Sequence, residues 1–168
     1  MKKNNINEEL HSAVRTGQYK IVVKLLNEGA DINYKDIYKN DALFYAVVHC
    51  KKDIVKYLIQ KGANLKILYK DNQNILHIAV KTDCEDKGAF EIIELLVNQK
   101  IDINALDKYG NTPLSYACVY YVVNRKTIDL LFQHSADMNI INNYGLSVLT
   151  SAKEANRTEL LEILDKYR

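Results

Sequence analysis

The chain has 168 residues, 48% of them apolar and 26% charged, a balance suited to one folded domain with a real core. Its formal charge of +2 is too small to imply nucleic acid or an acidic membrane as partner. The longest apolar run, Tyr116 to Val123, is far too short to cross a bilayer.

Five times a leucine is followed three residues later by an alanine: Leu10/Ala13, Leu43/Ala46, Leu76/Ala79, Leu114/Ala117 and Leu149/Ala152. The alanines are 33, 33, 38 and 35 residues apart, a period that means a solenoid of stacked helical units. The expected units are 4–35, 36–68, 69–106, 107–141 and 142–168, the first and last acting as caps. In the first unit, Ile21, Val22, Leu25 and Leu26 form the apolar side of a second helix, and Gly29 follows where a left-handed residue ends it. A short extended segment, Ala30-Asp31-Ile32-Asn33, then leads into a turn.

The second unit opens its first helix at Asp41, presents Leu43, Ala46 and Val47 as one stripe, and repeats the second helix with Ile54, Val55, Leu58 and Ile59. Asn74 holds the same capping slot in the third unit, ahead of Leu76, Ala79 and Val80. In the fourth, Gly110 supplies a turn of positive φ, Thr112 caps and Pro113 sits in the first helical turn. Ser147 caps the fifth. The third unit carries about five extra residues between its helices, within 82–90, and the fourth about two more, around 120–126. Lys39 and Asn72 stand where a turn glycine is expected, and Lys100 and Ser135 where a helix-ending glycine is, so the middle of the array is expected to be softer.

These motifs resemble the ankyrin repeat family. Thr112-Pro113-Leu114-Ser115-Tyr116-Ala117 is similar to its T-P-L-H-x-A signature, with serine in the histidine slot; Leu76-His77-Ile78-Ala79 and Leu10-His11-Ser12-Ala13 restore the histidine. Gly29-Ala30-Asp31-Ile32-Asn33 is similar to the family's linker between repeats. The resemblance implies an all-α ankyrin-repeat solenoid of helix–turn–helix units with β-turn connections. It further implies a non-catalytic module that binds a protein partner through its concave face and turn tips, as inhibitor, adaptor or effector. The alternative is a self-associating structural module, a homodimer without a separate partner site.

Carried over slot by slot, the resemblance places Tyr38, Asn40, Lys70, Asp71, Gln73, Lys108, Tyr109, Asn111 and Tyr144 on exposed turns. Arg15, His49, Lys81 and Tyr120 fall on the concave helices, and Lys35, Leu68, Leu106 and Ile141 lead into the turns. Tyr38, Tyr109 and Tyr144 share one slot and read either as interface anchors or as covers over their own turns. The same surface is rich in lysine and arginine, which suits an acidic partner or simply a solvated face. The apolar stretch 119–123 reads as a sticky patch or as packing against Phe90.

Chemistry is sparse. No phosphate-binding glycine loop, nucleophile elbow or paired histidine occurs, so no enzyme activity, cofactor or metal is expected. His11 and His77 are expected to brace their turns through hydrogen bonds. Cys50, Cys84 and Cys118 lack CxxC or CxxH spacing and read as reduced thiols. With no apolar h-region at the N-terminus, the expected location is cytoplasmic and the expected state a monomer or weak homodimer.

Overall fold

The computed structural model describes residues 2–82, 88–119 and 125–168, and the side chains of 6–82, 88–118 and 125–168. The inserted residues 83–87 and the stretch 120–124, with Tyr120 and the side chain of Val119, lie outside the described residues. All regular structure among the described residues is helical.

Two layers of helices run through the molecule. The inner layer comprises α1 (Lys2–Thr16), α3 (Ala42–Val48), α5 (Ile75–Lys81), α7 (Pro113–Val119) and α9 (Val148–Glu154). The outer layer comprises α2 (Tyr19–Asn27), α4 (Lys52–Gln60), α6 (Ala89–Val97), α8 (Arg125–Gln133) and α10 (Thr158–Leu164). Each inner helix packs on its outer partner and on the inner helix of the next unit, which makes the stack continuous. Inner helices α3, α5, α7 and α9 have only seven residues each, so they start sharply. Asp41, Asn74, Thr112 and Ser147 accept the backbone N–H of the third residue on, at 2.8, 3.0, 3.2 and 3.2 Å. The exception is α1, fifteen residues long.

The core is the seam between layers. Leu10, Leu43, Leu76 and Leu114 are fully buried, each worth about 1.5–3 kcal/mol of transfer energy. The alanine three residues on is buried at every repeat, letting neighbouring inner helices approach. Leu149, the fifth leucine, is only half-buried, because no inner helix follows α9 among the described residues.

Linkers join the units by side chain to backbone bonds. Asn7, Asn33 and Asn104 accept from the N–H of Asp31, Asn64 and Asp137, at 2.8, 2.9 and 2.9 Å. Lys66 occupies the asparagine slot in the second unit and has no acceptor to offer. There the cap residue Asn74 donates its side-chain amide to the Asp102 carbonyl at 2.9 Å instead.

Left-handed backbone appears where the glycine slots predicted it, although the residues differ: Lys39, Asn72, Lys100 and Ser135 all have φ between 55° and 66°. Gly110 is different in kind. A Cβ there would stand 2.8 Å from Asn143 Oδ1 and 2.9 Å from its backbone nitrogen, whereas one at Gly145 would meet nothing. Gly110→Ala is therefore expected to cost more than about 2 kcal/mol and Gly145→Ala only about 1. Urea midpoints of the two variants check the difference. Lys100→Gly, at an exposed left-handed position, should raise the midpoint by the equivalent of about 0.5–1 kcal/mol.

Candidate functional site

The turn tips are shaped by one acceptor. Asp36, Asp107 and Asn142 open three of the turns, and each side-chain Oδ1 accepts two backbone N–H groups. For Asp107 the donors are Tyr109 and Asn111, at 2.8 and 2.9 Å. Burial pushes the Asp36 carboxyl up, but hydrogen bonds from Tyr45, Asn40 and Tyr38 outweigh it and hold the group below its usual range. The third turn has Tyr69 in the opening slot, with no such acceptor. Its ring turns inward and its hydroxyl donates to Asp41 at 3.1 Å. Asp71 and Asn72 both become left-handed as a result of the different turn.

Adjacent tips are bonded in register. Lys108 N–H donates to the Asp71 carbonyl at 2.8 Å, and its ammonium pairs with the Asp71 carboxylate at 2.5 Å. That hydrogen bond lowers the Asp71 pKa. One unit further on, Asn143 N–H donates to the Tyr109 carbonyl at 3.0 Å, with Gly110 beneath it. The last three turns thus form a continuous edge.

Tyr144 is 68% exposed on that edge, and in the first turn Tyr38 and Ile37 are 73% and 89% exposed. Lys35, Lys70 and Lys108 are exposed as well. Tyr109 is only half-buried, not open as expected, since the Lys108 ammonium lies 4.8 Å from its ring centre. Asn40 and Asn111 are also half-buried, drawn in by bonds of their own turns, and Asp71 by its pairing with Lys108 of the next. Gln73 departs furthest. It was expected on the surface and is 4% exposed, because its amide donates to Tyr116 at 3.0 Å and accepts from Lys81 at 3.3 Å.

On the concave helices, Arg15, His49 and Lys81 are exposed, and two tyrosines that the sequence reading missed organise them. Tyr45 donates its hydroxyl to Asp36, and Tyr116 donates to Asp107 at 2.6 Å. Each ring carries a cation from the preceding unit: Arg15 lies 5.4 Å from the Tyr45 ring centre and Lys81 lies 5.2 Å from that of Tyr116. His49 stacks near Tyr45, its ring centre 6.5 Å away, and burial followed by the nearby Lys51 charge lowers its pKa. The available signal was a nine-residue spacing, Asp36 to Tyr45 and Asp107 to Tyr116, that recurs in two units.

His77 braces its turn as predicted. Its Nδ1 accepts the Asn74 N–H at 3.2 Å, and its Nε2, carrying the proton, donates to the Asn111 carbonyl at 3.1 Å. His11 packs against the rings of Tyr34 and Tyr45 and hydrogen-bonds the Tyr34 backbone, while its buried Nε2 has no hydrogen-bond partner among the described residues. Burial raises the Cys118 thiol to about 12, which makes it a poor nucleophile. No group of three or more possible metal-ligating side chains occurs among the described residues, and no helix there is long and apolar enough to cross a membrane.

Burial also lowers the His77 pKa below its ordinary 6.5. The unfolded chain therefore binds this proton more readily, so His77 stabilises the fold above pH 6.5 and that contribution fades as pH falls. His77→Gln keeps a side chain able to close the capping box but cannot titrate. The expected result is a shallower loss of stability between pH 7 and 5.5 than in the parent, read from urea midpoints.

The family model described as "Ankyrin repeats (3 copies)" matches residues 10–107, 43–142 and 84–167. Ankyrin repeat domain-containing protein SAT10 of Stachybotrys chartarum is 31% identical over 166 residues, covering 98% of this chain and 8% of that protein. Putative ankyrin repeat protein FPV024 of fowlpox virus is 28% identical over 121 residues, 71% of this chain and 19% of the relative. Putative ankyrin repeat protein L371 of Acanthamoeba polyphaga mimivirus is 26% identical over 150 residues, 86% of this chain and 19% of the relative. The chain thus spans less than a fifth of these relatives' lengths. With overlapping matches from residue 10 to 167, it belongs to the ankyrin repeat family.

Proposed function

We propose that the chain acts without catalysis, holding a protein partner against its turn tips and concave face as an inhibitor, adaptor or effector. Ankyrin repeats are generally protein–protein interaction modules. The observation that carries the reading is a set of exposed apolar side chains at the turns: Leu68, Leu106 and Ile141 share one slot, Tyr38 and Tyr144 another, and Ile37 adjoins Tyr38. Large apolar side chains recurring in this way favour a docking surface over scattered exposure. Arg15, Lys35, Lys70 and Lys81 near them favour acidic groups around the partner's apolar contact. The turn bonds and the capped tyrosines preorganise the face, which lowers the entropy cost of binding.

Tyr38→Ala combined with Tyr144→Ala tests this. The pair should weaken partner capture by ~10–10³-fold, while each change moves stability by no more than about 0.5 kcal/mol. Capture from source-cell lysate, compared between the two forms by mass spectrometry, reads the first quantity and urea unfolding the second. A partner held equally well by both forms would move the site off this edge. Light scattering at two concentrations separates a homodimer from this reading.

A further inference from the structure

Among the described residues, aromatic rings fill the seams between successive units except at the last. At the first seam Tyr45 lies against His11 and bonds Asp36. At the second, Phe44 and Tyr69 pack at 5.1 Å between ring centres. At the third, Tyr116 stands edge-on to His77 at 5.8 Å, bonded to Gln73 and Asp107. One unit further on, the slots of Gln73, His77, Asp107 and Tyr116 are held by Asn111, Ser115, Asn142 and Ser151. All four substitutes line a single cavity of about 530 Å³ between α7 and α9. It is therefore the space that Tyr116 occupies one repeat earlier, opened by replacing a tyrosine and a histidine with serines.

We infer that this cavity is an anchor pocket for a tyrosine side chain of the partner protein, an inference that rests on the partner-binding reading above. Its size falls within the roughly 300–1,000 Å³ of ligand sites, and its wall includes apolar groups such as Ala152 and Leu160. The polar end matches a phenol. Where Asp107 receives the Tyr116 hydroxyl, the corresponding group is the Asn142 amide. That amide donates to Asn111 Oδ1 at 2.9 Å and carries a second N–H. Arg157, bonded to the Cys118 carbonyl, adds a cation to the wall, as Arg15 and Lys81 do for the chain's own rings.

The test titrates p-cresol, the tyrosine side chain alone, into the ¹⁵N-labelled full chain. Saturable amide shifts at Ser115, Asn142 and Ser151 are expected, with a Kd of roughly 1–10 mM. Toluene, which lacks the hydroxyl, should bind about 2–10-fold more weakly. Ser151→Tyr rebuilds the missing side chain and should abolish the shifts while leaving the urea midpoint at or above the parent's. Should that variant fail to fold, Ala155→Leu on the exposed rim gives the second reading, with binding weakened at least about 5-fold. Shifts that never saturate, or that persist undiminished in a folded filled variant, would overturn the pocket. Partner capture that depends on Tyr38 and Tyr144 without any p-cresol binding would remove this inference alone and leave the docking edge standing.

Discussion

Four of the five inner helices are two turns long, far below the length at which a helix is stable alone in water. They exist because each buries an alanine, and α3, α5 and α7 a leucine as well, against neighbouring helices. The leucine fills the space between layers; the alanine keeps the inner helices close enough to share it. Everything else in the molecule follows from that stacking: the register of the turns, the edge they form and the groove beside it. Leu149, with no further inner helix packed on α9 among the described residues, is half-buried.

The polar groups keep the stack in register. Asparagine side chains bridge consecutive linkers, and where Lys66 breaks the pattern the cap residue Asn74 supplies another bridge. The turns use the same economy: one side-chain oxygen holds two backbone N–H groups and aims the tip residue outward. Replacing that acceptor with Tyr69 changes the tip and hands its outward slot to Asp71, which pairs with the next turn. Backbone bonds between tips then carry the edge forward, and the close seat of Asn143 on Gly110 leaves no room for a side chain there.

The tyrosines divide by depth. Tyr45, Tyr69 and Tyr116 are hydrogen-bonded to aspartates and act as spacers within seams, while Tyr38 and Tyr144 stand in solvent. A phenol serves both uses, since its ring fills apolar space and its hydroxyl needs one polar partner. The spacers brace the inner face, and solvent-facing rings and aliphatic groups line the turns. Such a face suits the stoichiometric binding proposed above, and at the final seam Ser151 in the tyrosine slot leaves a recess among the described residues.

The sequence by itself determined the unit, its period and its polarity. Leucine and alanine spacing, four different but equivalent caps and the left-handed slots are local requirements of short helices and tight turns, so they can be read residue by residue. The positions of Tyr38 and Tyr144 were legible for the same reason, being set by their own turns. Gln73, Tyr109 and the cavity at Ser151 were not. Whether Gln73 meets water depends on Tyr116, forty-three residues away, and whether Ser151 leaves a void depends on Ser115 across the seam. Such outcomes are decided only when neighbouring units pack, because burial is a property of what lies opposite a side chain and not of the chain on either side of it.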